Sequence, residues 1–141
     1  SQLNAICTLD EERARQRAKL ADEALAKGEN WGILHGVPIT IKDCFETALL
    51  RTTSGYKPLK DYIPEQDATV VARLRAAGAI IMGKTNPAEL ASDWQGINDL
   101  FPVVNNPWNL NYTPGGSSSG SAAAIAAGLS PLDLGDDFGG S

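Results

Sequence analysis

Residues 115–128 read GGSSSGSAAAIAAG, and this run limits the fold more than any other part of the chain. Its glycines and serines set a tight turn, and the Ser/Ala stretch that follows predicts a helix with almost no side-chain volume. So small a surface lets a helix approach its neighbours closely. The surrounding composition is also unusual: all 12 Lys and Arg residues precede position 101, and the last 41 residues carry only Asp133, Asp136 and Asp137 as charges. Seven of the 14 glycines fall in the last 27 residues, where a finished domain would more often wind down into polar surface. The chain therefore reads as stopping inside a structure, and its true start is expected to be missing as well.

With 141 residues, 43% hydrophobic and 21% charged, the chain is expected to form one α/β unit without an internal boundary. No apolar run reaches the roughly 18 residues of a membrane span, and no signal peptide is visible. A soluble, cytoplasmic protein is the expectation. The net charge of −5 and the scattered basic residues argue against direct nucleic-acid binding. Cys7 and Cys44 are too few for a disulfide framework.

Thr8 and Glu11 have capping-box spacing, and Ala14, Ala18, Ala21 and Leu25 then share one helical face, which predicts a helix over 9–27. In GVPITIKDCF, Val37, Ile39 and Ile41 alternate with Pro38, Thr40 and Lys42, so Lys42 lies on the strand face opposite the aliphatics. If both faces are covered, Lys42 is buried. Residues 51–66 read as loop. Asp67 is placed to cap a helix whose Val70, Val71 and Leu74 point inward and which Gly78 stops. Ala79–Met82 reads as a short strand, residues 98–114 as an irregular segment anchored by Trp108, and PLDLG as a short buried strand. Strand, helix and strand in this order suggest helices packed on a sheet.

Two motif matches fail on their context. GAIIMGKT satisfies the P-loop expression, but its intervening residues are aliphatic and suit a buried strand rather than a phosphate cradle. GSSSG around Ser118 fits a nucleophile elbow, yet that reading needs a downstream His and the sole histidine, His35, lies upstream. His35 is expected to be a hydrogen-bonded structural residue. One His and two distant Cys leave no metal-ligand set, and no cofactor is expected.

What remains is Lys42, the serine-rich turn, and a second glycine turn ending in Ser141. A serine nucleophile needs a base, and a desolvated Lys can serve where no His is present. Successive backbone N–H groups in Phe138-Gly139-Gly140-Ser141 can donate to an oxyanion. The plainer reading of the same residues is a pair of turns linking packed elements.

GVPITIKD (36–43), DATVVARLRAAGAIIMGKTN (67–86) and NNPWNLNYTPGGSSSGSAAAIAAGLSPLDLGDDFGGS (105–141) together resemble the amidase signature family. The likeness is collinear and covers nearly the whole chain. It implies an α/β fold with a mixed sheet flanked by helices, of which this chain is the N-terminal portion, in a domain about three times longer. Matched position by position, it implies a catalytic triad of Lys42, Ser117 after a cis peptide bond, and Ser141 as nucleophile. It further implies an oxyanion hole from the backbone of Phe138, Gly139, Gly140 and Ser141, with Ser118 and Asp137 in support. The activity implied is hydrolysis of a small-molecule amide without cofactor or metal.

Two residues depart from the family pattern. Ser119 stands where Gly is common; at positive φ a serine would cost about 1–2 kcal/mol. Asp136 stands where Thr or Ser is common, and a second carboxylate beside Asp137 would oppose an oxyanion unless it is paired or points away. Because Ser141 is the last residue and would carry a free carboxylate, the isolated 141-residue piece is expected to be inactive. One alternative is the glutaminase component of a tRNA-dependent amidotransferase, with amidotransferase partners in place of a homo-oligomer. Another is a non-catalytic fragment or interaction module, which an exposed Lys42 would favour.

Overall fold

A computed structural model describes residues 2–141. Four strands form one mixed sheet: β1 (Ile6–Leu9), β2 (Pro38–Lys42), β3 (Ile80–Thr85) and β4 (Asp133–Leu134), in the order β1-β3-β2-β4. β2 runs parallel to both β3 and β4, while β1 closes the other edge antiparallel to β3. Among the described residues, three α-helices accompany it: α1 (Glu11–Ala26), α2 (Thr69–Ala76) and α3 (Ser119–Ala126).

Side-chain alternation in β2 divides the labour between the two faces. Ile39 and Ile41 pack with Val71 of α2, Leu50, Ala79 and Ile81 in the main apolar core. Thr40 and Lys42 point the other way, towards α3 and β4, and are wholly buried there. Both faces of this strand are thus covered, as its sequence pattern requires if Lys42 is to be buried.

The near-featureless α3 packs through Ala123 and Ala124 against Ala5 and Val104. Its approach is so close that a methyl group on Gly120 would overlap Asn86 N and Ala5 O. Asn86, just past β3, fastens the region. Its Nδ2 donates to Asn4 O (3.2 Å) and Pro102 O (3.0 Å), and its Oδ1 accepts from Asn98 Nδ2 (2.8 Å). Its main-chain carbonyl accepts from Gly120 N (2.8 Å) and Ser119 Oγ (3.1 Å).

Several local expectations need correction. Thr8 is not a helix cap: it lies in β1, where its hydroxyl accepts from Arg51, and α1 begins only at Glu11. On α1 it is Ala21 and Ala24 that are buried, while Leu25 is exposed. Asp67 is not the cap of α2. Ala68 holds that position, and the Asp67 carboxylate instead accepts from Ala48 N and Arg75 Nε, both at 2.7 Å. Trp108 is 85% exposed rather than a buried anchor for its segment. The P-loop-like segment forms β3, a strand that reaches Thr85 rather than stopping at Met82.

Candidate active site

Lys42 ends β2, Ser117 sits in the turn before α3, and Ser141 follows the glycine turn after β4. The sheet order puts β4 beside β2 and α3 above both, so these distant residues meet. Lys42 Nζ lies 2.5 Å from Ser117 Oγ, and Ser117 Oγ lies 2.9 Å from Ser141 Oγ. Lys42 and Ser117 are fully buried, and the Gly116–Ser117 peptide bond is cis.

Asp136 completes the surroundings of Lys42. Its Oδ1 is 2.5 Å from Lys42 Nζ, and its main-chain carbonyl accepts from Lys42 (3.3 Å) and from Ser118 Oγ (3.2 Å). Burial alone would lift the Asp136 carboxyl, but the hydrogen bond and charge of Lys42 outweigh it and hold it below the usual carboxylate range. Asp136 is therefore paired rather than opposed to the glycine turn. Cys44, 3.4 Å from Asp136 Oδ1, is pushed up to about 12, first by burial and then by that carboxylate, so it remains a thiol at neutral pH.

Beneath this group lies a second polar layer. Asp133 Oδ2 accepts from Thr40 Oγ1 (2.5 Å) and Thr85 Oγ1 (3.1 Å), and Thr85 Oγ1 is 3.0 Å from Ser121 Oγ. Asp133 Oδ1 is buried with no hydrogen-bond partner among the described residues. Burial raises the Asp133 carboxyl, against the pull of its hydroxyl neighbours and Lys42.

The glycine turn behaves differently from its sequence expectation. The N–H groups of Gly140 and Ser141 both donate to Asp137 Oδ1, at 2.5 and 2.7 Å, so two of the four expected oxyanion donors already face a carboxylate oxygen. Phe138 and Gly139 are not among the donors to Asp137. Ser119 does not adopt positive φ, so its departure from glycine carries no backbone strain. It opens α3 wholly buried, packed against Gly96, where an added methyl would overlap the Ser119 side chain.

The cavity beside Ser141, about 520 Å³, is walled by Leu90, Trp94 and Phe138. Leu90 and Ala91 are consecutive left-handed residues (φ 49° and 56°), which turn the chain at this wall. No periodicity in the sequence marks them. His35 is structural, as expected: its Nδ1 accepts from Trp31 N (2.9 Å) and its Nε2 lies 3.0 Å from Ala21 O.

Fold and site together define an α/β protein with a buried lysine linked through one serine to another. The family model described as Amidase matches residues 1–141, and the chain belongs to the amidase family. It is 51% identical over 139 residues to the A-subunit of glutamyl-tRNA(Gln) amidotransferase from Alkaliphilus metalliredigens (strain QYMF), covering 99% of this chain and 28% of that protein. Among solved structures, an amidase superposes with a TM-score of 0.91 at 43% identity, over 98% of this chain and 32% of the other. 6-Aminohexanoate cyclic dimer hydrolase superposes with a TM-score of 0.82 at 36% identity, over 94% and 26%. The chain thus spans under a third of the length of these relatives. Among the described residues, no helix is long and apolar enough to cross a membrane.

Proposed function

We propose that the protein carrying this chain hydrolyses amide C–N bonds with Ser141 as nucleophile, Ser117 as proton relay and Lys42 as base. The observation that carries this reading is the continuous Lys42–Ser117–Ser141 contact, 2.5 and 2.9 Å, whose lysine end is sealed from water. In the first step the Ser141 hydroxyl proton passes to Ser117, and the Ser117 proton passes to neutral Lys42. Ser141 Oγ bonds to the amide carbon, and the carbonyl oxygen becomes an oxyanion. Collapse breaks the C–N bond as Ser117 returns a proton to the leaving nitrogen, with Lys42 resupplying Ser117. Water then cleaves the acyl-serine ester by the same relay.

The oxyanion donors in this reading are the N–H groups of the turn from Phe138 to Ser141, with Ser118 supporting the main chain at Asp136. Asp137 must release Gly140 and Ser141 for those two to take part. The cavity walled by Leu90, Trp94 and Phe138 suits an acyl group with an apolar surface.

The test is hydrolysis of a panel of primary amides by the intact protein. Lys42→Ala and Ser141→Ala are each expected to lower kcat/KM by at least about 10³-fold, with folding retained by circular dichroism. Retained turnover in Lys42→Ala removes Lys42 from the mechanism.

A second reading is favoured by the names of the relatives at about half identity, which are amidotransferase A-subunits. In that case the amide is glutamine, and the ammonia released is used by partner proteins. Glutaminase activity that appears only with those partners present selects it; hydrolysis of simple amides by the protein alone selects the first. An interaction module without chemistry is disfavoured because Lys42 is fully buried.

A further inference from the structure

The proposed mechanism needs a lone pair on Lys42 directed at Ser117. The structure surrounds Lys42 Nζ instead with three acceptors: Ser117 Oγ at 2.5 Å, Asp136 Oδ1 at 2.5 Å and Asp136 O at 3.3 Å. An ammonium group has three N–H bonds, and this arrangement uses all of them. Lys42 is poised here to give protons, not to receive one.

We propose that Asp136 is a positioning residue that fixes Lys42 Nζ as a donor to Ser117 and to itself, and that removing its carboxylate lets the Ser117–Ser141 relay work at lower pH than in the wild type. This rests on the reading of Lys42 as the base.

The other groups around Lys42 do not substitute for Asp136. From β4, Asp133 gives its Oδ2 to Thr40 and Thr85. From the turn after β2, Cys44 remains a thiol. The lead-in to α3 contributes only the Ser117 and Ser118 hydroxyls. From β3, Thr85 stands opposite Lys42, while Lys84 points away and is paired with Asp43. Asp137 is turned to the N–H groups of Gly140 and Ser141. Asp136 is thus the carboxylate among the described residues that reaches Lys42 Nζ. It is itself fixed, because its main-chain carbonyl also accepts from Ser118 Oγ.

The carboxylate is removed in two ways: Asp136→Asn keeps the shape, and Asp136→Thr puts a shorter, uncharged side chain with a hydroxyl in its place. An opposite charge in contact moves a titration by about 1–3 pH units. In both variants of the intact protein, the rising limb of kcat/KM against pH is therefore expected to move down by at least about one unit. On that limb the variants should exceed the wild type about tenfold or more. A limb that does not move, or a uniform loss of activity at every pH in folded variants, overturns the proposal. The second readout does not require turnover. With [ε-¹³C]lysine incorporated and the Lys42 resonance assigned by its loss in Lys42→Met, that resonance should titrate at lower pH in Asp136→Asn than in the wild type. An unmoved resonance overturns the proposal even if the protein hydrolyses no amide. A wild type inactive towards every amide at every pH, with the resonance shifted, overturns the hydrolase reading alone.

Discussion

Lys42 and Lys84, both fully buried, leave adjacent parallel strands towards opposite faces of the same sheet. Lys42 faces α3 and contacts Ser117 and Asp136. Lys84 faces the apolar core, donates to Phe45 O (2.8 Å) and Thr52 Oγ1 (2.9 Å), and lies 3.4 Å from Asp43 Oδ1. The register explains the difference: Lys42 is opposite Thr85, so its neighbour Lys84 must point the other way. One buried lysine is joined to the serine relay and the other to a buried carboxylate.

The enclosed pair should behave as a structural unit. Burial is the largest influence on each partner, raising Asp43 and lowering Lys84, with mutual attraction opposing both shifts. Asp43 also accepts from Thr53 N and Thr53 Oγ1. Lys84→Met leaves this carboxylate without its cation and is expected to cost about 3–5 kcal/mol. Adding Asp43→Asn should recover most of that loss, as read from denaturant midpoints of the single and double variants.

Ser117 offers a graded test of the relay. Ser117→Ala removes the link between Lys42 and Ser141 without exposing either, and is expected to lower kcat by about 10²–10⁴-fold. KM should change little. A matching rise in KM with kcat unaltered would instead assign Ser117 to substrate binding.

Gly120 tests the packing that brings Ser117 into place. The obstruction to a methyl group there is backbone, Asn86 N and Ala5 O, rather than a movable side-chain tip. Gly120→Ala is expected to destabilise the fold by at least about 1–3 kcal/mol. A thermal melt indistinguishable from wild type would show that α3 can retreat from the strand end at little cost.

The Asp133 layer makes a pH prediction of definite sign. An acid raised on folding contributes stability while protonated, below its ordinary value of about 4, and that contribution is lost as pH rises through the folded value. Asp136 works in the other direction: its contribution is present above its ordinary value and is lost as acid protonates it. Between about pH 4 and 7, the wild-type Tm should therefore fall more steeply than that of Asp133→Asn. Parallel curves would mean that Asp133 titrates alike in both folded and unfolded chains.

The parts of this arrangement that depend on short-range pattern were legible in the sequence. Alternation in PITIK put Lys42 on the face away from Ile39 and Ile41, and the Ser/Ala run marked a close-packed helix. Pairings across long separations were not. The contact of Lys42 with Asp136 joins residues 94 positions apart, and nothing local to Asp136 distinguishes a paired carboxylate from one facing the oxyanion turn. Thr8 and Asp67 misled for a related reason. Both have the chemistry of helix caps, but pairing of β1 with β3 and the Arg51 side chain claim the first, and Ala48 and Arg75 claim the second. Leu90 and Ala91 gave no signal because left-handed backbone at non-glycine residues is set by the surrounding fold.

Asn86 has a kinetic implication. Its amide and carbonyl tie together Asn4, Asn98, Pro102 and the start of α3 at Ser119 and Gly120, partners up to 82 positions away. None of these segments gains its full set of bonds by docking alone, and loop-closure entropy must be met before the shared centre rewards it. The assembly of this region is thus a late, concerted event in folding, in which the segments around Asn4, Asn98 and Pro102 and the helix bearing the serine turn arrive together around one residue.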